Sequence, residues 1–260
     1  MGTSGAYGGS GSQTWDAAHE AYGDAAAADG TGPSDAQVQA FVNAFMQALA
    51  KNSGPVPGPS SYPLASLRPQ RAGGGGGSSS SAGGGGERNL GRQTARGAAA
   101  VAGASALRTG DRATLAELGL DLNHLDSLPS PRAKCAYIVD TLLGAPSHPD
   151  EVALRAATLR TMVEIQKAKE ALTAAQQLEL FLQHLAYEQV LVELTSQRRT
   201  DHITPQRAKE IEDKAKKYLR ASVSAMRLPK IAKLAAQTFV ASATTLAHKV
   251  FTVFRIRDER

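Results

Sequence analysis

Apolar positions recur at helical spacing through most of the second half of the chain, and strongly at one place in the first half. There, Val38, Phe41, Val42, Phe45, Met46 and Leu49 follow one another at intervals of 3, 1, 3, 1 and 3. That spacing lays a single apolar stripe along a helix of about 35–51. Ser34-Asp35-Ala36-Gln37 supplies a capping box at its start, and Asn52-Ser53-Gly54-Pro55 ends it. A lone helix of this length is marginal in water, so the stripe predicts a cover, either the rest of the chain or another protein. Upstream, an Ala-rich stretch over 15–28 predicts a short, marginal helix with Trp15 and Tyr22, seven residues apart, near one face. An exposed Trp15 there would be an anchor for a partner's groove.

From Asp111 onward the pattern is continuous. Asp111 caps a helix carrying Leu115 and Leu118, and Leu120, Leu122, Leu125 and Leu128 form a Leu-rich turn. Ser130-Pro131, a cap followed by proline at the first helical position, opens a helix of about 131–143 with Cys135, Ile138, Val139, Leu142 and Leu143 inward. Four longer helices follow. The first, about 149–171, points Val152, Ala156, Leu159, Val163 and Ile165 towards the core. The second, about 174–197, starts at a further capping box, Thr173 to Gln176; the third runs from Thr204-Pro205 to about Met226; the fourth spans about 230–254. Val250–Ile256 alternates weakly but reads as helix. The predicted class is all-α, a C-terminal helical bundle.

Composition changes the picture between these parts. Residues 52–86 are Pro-, Ser- and Gly-rich, with Gly73–Gly77, Ser78–Ser81 and Gly83–Gly86 in sequence. Such a stretch of 35 residues is a linker that spans roughly 30–35 Å as a coil. The sequence therefore divides into a disordered N-terminal arm (1–33), an isolated amphipathic helix (34–51), a low-complexity linker (52–86), an Arg/Ala-rich bridging helix (87–109) and the bundle (110–260). Arg88, Arg92 and Arg96 recur every fourth residue on the bridge and line one face that suits phosphates or an acidic partner. Small residues from Gly97 to Ala106 allow close backbone approach.

Charge is split along the chain. Residues 1–50 carry Asp16, Glu20, Asp24, Asp29 and Asp35 with no Lys or Arg, whereas 87–260 hold 26 basic and 19 acidic side chains. The acidic part has a basic surface to fold onto, densest over 207–233, where Lys214, Lys217 and Arg220 are the expected contacts for phosphates or an acidic partner. A nucleic-acid-binding helical adaptor is the alternative reading of these basic faces, although only Tyr218 interleaves them as a stacking aromatic.

Catalytic chemistry finds little support. The six histidines show no HxxxH or HExxH spacing, and there is neither a CxxC pair nor a P-loop. No metal site or cofactor is predicted. Glu179 and Glu193 on one helix are the sole candidate carboxylate pair, and they read as surface charge. Cys135, the single cysteine, sits among apolar neighbours and reads as a small core residue; its solitude excludes an intrachain disulfide and suits a reducing cytoplasm. No apolar run reaches membrane-spanning length, no secretory signal is recognisable, and Ala6 stands where an N-myristoylation motif wants Ser or Thr. The expected protein is cytoplasmic and not an enzyme.

The first dozen residues hold five Gly and three Ser, too little apolar surface to order. They begin Met1-Gly2, and Gly2 is small enough for Met1 to be removed, which leaves a free glycine amine. An α-amino group has a pKa of about 7.7–8.0, against about 10.4 for lysine, so roughly a tenth is nucleophilic free base at neutral pH.

Met1-Gly2-Thr3-Ser4 followed by Tyr7-Gly8-Gly9, a low-complexity arm, an Arg/Ala-rich bridge near Leu90-Gly91-Arg92 and a helical C-terminal domain together resemble the QatB components of bacterial Qat antiphage operons. The Gly and Ser runs and the helix near 35–51 depart from that family's Pro-dominated arm. The resemblance implies a non-enzymatic antiphage component that partners the P-loop ATPase of the same operon. It also implies that a QueC-like enzyme joins a 7-deazaguanine to Gly2 through an amide, with Thr3, Ser4, Gly5 and Tyr7 recognised by that enzyme. A TatD-like nuclease is a further implied partner. The expected partner-binding side chains, on the arm and the isolated helix, are Trp15, Val38, Phe41, Phe45 and Leu49.

Overall fold

A computed structural model of the chain describes residues 13–27, 32–51, 63–67, 90–146, 149–201, 203–226, 228 and 232–256. Among them every regular element is helical: α1 (Gln13–Ala27), α2 (Asp35–Lys51), α3 (Leu90–Thr109), α4 (Arg112–Glu117), α5 (Leu122–Ser127), α6 (Pro131–Leu143), α7 (Pro149–Lys167), α8 (Ala174–Asp201), α9 (Pro205–Ala225) and α10 (Ala236–Ile256), with one 3-10 turn at Leu64–Leu67. The bundle is thus all-α, as its periodicity predicts. Its starts are set locally. Ser34 Oγ accepts from the Gln37 amide at 3.1 Å while Gln37 Oε1 accepts from the Ser34 amide at 2.8 Å. Thr173 and Gln176 repeat the exchange. Asp111, Asp121, Ser130 and Thr204 each accept from a backbone N–H of the first turn they cap.

The apolar side chains gather into two cores. The first holds α3, α4, α6, α7 and the starts of α8 and α10, with Leu118, Ile138, Met162, Phe181 and Phe239 among its buried members. The second holds α1, α2, α9 and the later turns of α8 and α10, with Trp15, Tyr22, Phe41, Phe45, Leu219 and Val250. Helices α8 and α10 run through both. On α8, Leu178, Phe181 and Leu185 enter the first core, and Leu182, Ala186, Val190 and Leu194 the second.

The Arg/Ala-rich segment is no bridge. Helix α3 lies inside the first core, in contact with α6, α7 and α10, and Ala95, Ala98, Ala99 and Ala102 are buried along it. Its small residues are what permit this. A Cβ on Gly97 would meet Leu154 Cδ1 and Phe181 Cζ at 2.8 Å each and Thr158 Oγ1 at 3.0 Å. Arg108 then closes the far end of α7, donating to the carbonyls of Ile165 (2.6 Å), Gln166 (3.1 Å) and Ala168 (2.6 Å), which have no partner within their own helix.

Helix α2 is not isolated, and the 1–33 arm contains α1. The two pack as a hairpin through edge-to-face pairs, Trp15 with Phe45 (centroids 5.7 Å apart) and Tyr22 with Phe41 (5.4 Å). The hairpin's other side lies on α9 and α10. Neither helix alone buries enough to persist, and the body supplies the missing cover. Helix α7 also departs from expectation. Its buried face runs through Asp150, Ala153, Leu154, Ala157, Thr158, Thr161, Met162 and Ile165, whereas Val152 is 52% exposed. Two threonines and an aspartate sit on the covered face, which misled the apolar count by one position. Helix α7 ends at Lys167 rather than near 171, and α10 begins at Ala236, with residues 232–235 outside any helix.

Two substitutions test this packing by urea denaturation. Gly97→Val forces α3 off α7 and α8 and is expected to cost about 1–3 kcal/mol. Phe45→Ala empties a site between hairpin and body and is expected to cost about 3–5 kcal/mol; an unchanged midpoint would mean that α2 does not belong to the core.

Candidate functional site

The expected site residues meet different fates. Gly2, Thr3, Ser4, Gly5, Tyr7 and Arg88 lie outside the described residues. Trp15, Val38, Phe41, Phe45 and Leu49, expected to anchor a partner, are all buried within the chain's own second core. The face that periodicity exposes as sticky is spent on intramolecular packing. Of the arginines, Arg96 turns inward and donates to the carbonyls of Leu142, at 3.2 Å, and Leu143, closing α6. Arg92 is exposed. On α9, Lys214 Nζ donates to Pro33 O at 2.6 Å and pairs with Asp35 at 3.1 Å, so the acidic segment does fold onto the basic helix. Tyr218 donates to Asn43 Oδ1 at 2.9 Å. Lys217 and Arg220 point to solvent, with Lys209 beside them on the same outward stripe.

The carboxylate pair does not assemble. Glu179 and Glu193 stand 14 residues apart on one helix, about 21 Å by helical rise. Glu179 accepts from Gln183 and Ser224. Glu193 is 3% exposed, not surface charge, and pairs with His19 at 3.2 Å across to α1. Cys135 is wholly buried, and burial pushes its thiol up to about 11, so it stays protonated and apolar at neutral pH.

The densest chemistry lies where sequence reasoning did not look, on α8 between α7 and α9. His184, Glu188, Gln189 and Glu193 are all buried there. His184 Nε2 meets Glu164 Oε1 of α7 at 3.0 Å, and Arg160 Nε of the same helix meets Glu188 Oε1 at 2.9 Å. Tyr187 donates to Glu212 of α9, and its ring lies between Arg160 (5.8 Å) and Lys216 (4.9 Å). Burial lowers the His184 pKa, offset in part by Glu164, and Arg220 and Arg160 push it the same way as burial. Burial raises Glu188, offset in part by Arg160. Burial and then Glu212 raise Tyr187. His184, Tyr187 and Glu188 each meet a partner from a neighbouring helix, Glu164 and Arg160 of α7 and Glu212 of α9, so the arrangement fixes α7 and α9 on α8. A signal for it was present: positions 184, 188 and 193 carry ionisable residues on the one long helix flanked by helices on both sides.

Among the described residues no group of three or more His, Cys, Asp or Glu could hold a metal ion, and no helix is long and apolar enough to cross a membrane. A family model described as "Qat anti-phage system associated protein QatB" matches residues 83–255, which is 173 of the 260. The chain belongs to the QatB family. It is therefore a component of the Qat anti-phage system. The match takes in α3 to α9 whole and α10 to within one residue; α1 and α2 fall outside it. The curated proteins and the solved structures each give no match.

The charged layer makes stability depend on pH in two opposite senses. Glu188 has a native pKa above its unfolded value of 4.5, so its contribution is complete below that value and is lost as pH rises through the native one. His184 has a native pKa below 6.5, so its contribution is complete above 6.5 and is lost as pH falls through the native one. Relative to the unmodified chain, Glu188→Gln is expected to gain stability as pH rises from 4.5 towards 7, and His184→Gln as pH falls below 6.5. Thermal melts across that range read both.

Proposed function

We propose that the chain serves the Qat system as a non-enzymatic adaptor for the system's P-loop ATPase and as the protein substrate of its QueC-like enzyme, which joins a 7-deazaguanine to Gly2. The observation that carries the second part is Met1-Gly2-Thr3-Ser4 standing just ahead of a pinned hairpin. Trp15 is buried, so the chain is tied to the body there. The 11 residues from Gly2 to Ser12 that precede α1 span at most about 40 Å if fully extended. On this reading a modifying enzyme takes the terminal amine within that radius of the hairpin. The chemistry asks for an unhindered, partly deprotonated amine. Its lone pair attacks a deazaguanine carboxylate that the enzyme has activated with ATP. The amide C–N bond forms, the activating group leaves with its electron pair, and the amine proton passes to solvent.

The adaptor part is supported by the family match and by how the described reactive groups of the body are held. Cys135 is held as an apolar thiol, and the buried ionisable groups of α8 are all engaged between helices. A TatD-like nuclease is a further partner on this reading. A nucleic-acid backbone would have to be met by Arg92, Lys217 and Arg220, since Arg96 and Lys214 are committed within the fold.

Intact mass after co-expression with the QueC-like enzyme tests the modification. The expected spectrum shows loss of Met1 and gain of one deazaguanine acyl group, and Gly2→Glu, which keeps Met1, shows neither. A chain of unmodified mass overturns it.

A further inference from the structure

Helices α6 and α7 part towards the start of α6 and the end of α7, leaving a cavity of about 690 Å³. Its apolar lining is Pro131, Cys135, Leu159 and Val163. Its rim is basic: Arg132 stands on the α6 side, Arg160 and Lys167 on the α7 side. Arg160 is already held by Glu188 and the Tyr187 ring. Arg132 and Lys167 are exposed, and neither makes an ion pair among the described residues. The one acid on the lining, Glu164, is bound to His184. An apolar hollow of this size lies in the range of ligand sites, and two free cations at its mouth set the sign of what fills it.

We infer that this cavity is a docking site for a peptide segment of another protein in which an apolar side chain is flanked by carboxylates. The apolar side chain enters between Leu159 and Val163, and the carboxylates meet Arg132 and Lys167. Of this chain's own acidic residues, Asp16, Glu20 and Asp24 lie on α1 and Asp35 on α2, in the hairpin at the second core, and residues 52–89 contain a single acid, Glu87. Cys135 forms part of the apolar floor and takes no part in bonding to the occupant.

The site rests on the adaptor reading in one respect, that the chain binds other components of its system. Overlapping peptides tiling those components are incubated with the full-length chain, and the same chain is tested for co-purification with each intact component. The expected result is binding confined to peptides with an apolar residue between Asp or Glu residues. It should weaken about tenfold or more in Arg132→Glu/Lys167→Glu, to a lesser degree in Arg132→Gln/Lys167→Gln, and with rising salt. Both positions are exposed, so unchanged circular dichroism melts are expected for the variants. Equal binding by wild type and charge-reversed chain, or no acidic peptide bound, overturns the site. Co-purification with a component that survives charge reversal leaves the adaptor reading standing and overturns the site alone. Failure to co-purify with any component overturns both.

Discussion

Two helices have to satisfy two cores at once, and the rest of the molecule is arranged around that requirement. On α8, the turns carrying Leu178, Phe181 and Leu185 face one side, and those carrying Leu182, Ala186, Val190 and Leu194 another. A helix with two apolar faces cannot lie on a surface; it must be covered on both. Helix α10 serves both lengthwise, with Phe239, Val240 and Ala243 of its early turns in the first core and Ala247 and Val250, further along the same face, in the second. The first core is closed by α3, which succeeds because alanine and glycine let it approach closely. The second would stay open without the α1–α2 hairpin. A hairpin separated from the body by 38 residues of sequence, 52–89, thus completes the interior.

The remaining face of α8 is where polar groups replace apolar ones. Moving carboxylates and guanidinium groups out of water is costly unless each meets an opposite with good geometry. The contacts His184–Glu164, Arg160–Glu188 and Tyr187–Glu212 offset part of that cost by drawing one partner from α8 and the other from α7 or α9. Apolar contacts tolerate sliding and rotation; these pairs do not. They fix the register of α7 and α9 against α8, and α9 in turn offers Lys214 and Tyr218 to the hairpin. The placement of the N-terminal helices therefore depends, two steps removed, on charges buried in the middle of the bundle.

Much of this was legible where the signal is local. The Ser34–Gln37 and Thr173–Gln176 boxes and the Ser130-Pro131 and Thr204-Pro205 starts depend on residues within four positions of each other, and they form as read. The stripe from Val38 to Leu49 gave its helix and its need for cover, but periodicity cannot say which surface does the covering. What failed were inferences that need tertiary context. Helix α7 buries Thr158 and Thr161; the Thr161 hydroxyl bonds to Ala157 O within the helix and is covered at little cost, while Thr158 Oγ1 is buried with no hydrogen-bond partner among the described residues. Arg96 looked like a solvated or phosphate-facing charge because no sequence pattern shows that the end of α6 would lie beside it. Glu193 looked like surface charge because nothing near it in sequence predicts His19, 174 positions away.

The boundary of the family match sharpens the role of the hairpin. Residues 83–255 contain the first core apart from Leu64 and Leu67 and the α8–α9–α10 part of the second, and the hairpin that seals the second core lies outside. The groove formed by Leu182, Val190, Ile211, Ala215 and Leu219 thus belongs to the family-matched part, while its cover belongs to the N-terminal part of this chain. An apolar groove of that extent is not left bare in water. Its cover sets where the N-terminal segment leaves the body, since Trp15 is fixed against Phe45 and His19 against Glu193. Cover and tether are then the same element: the contacts that exclude water from the second core also fix where the chain enters α1 at the body's surface.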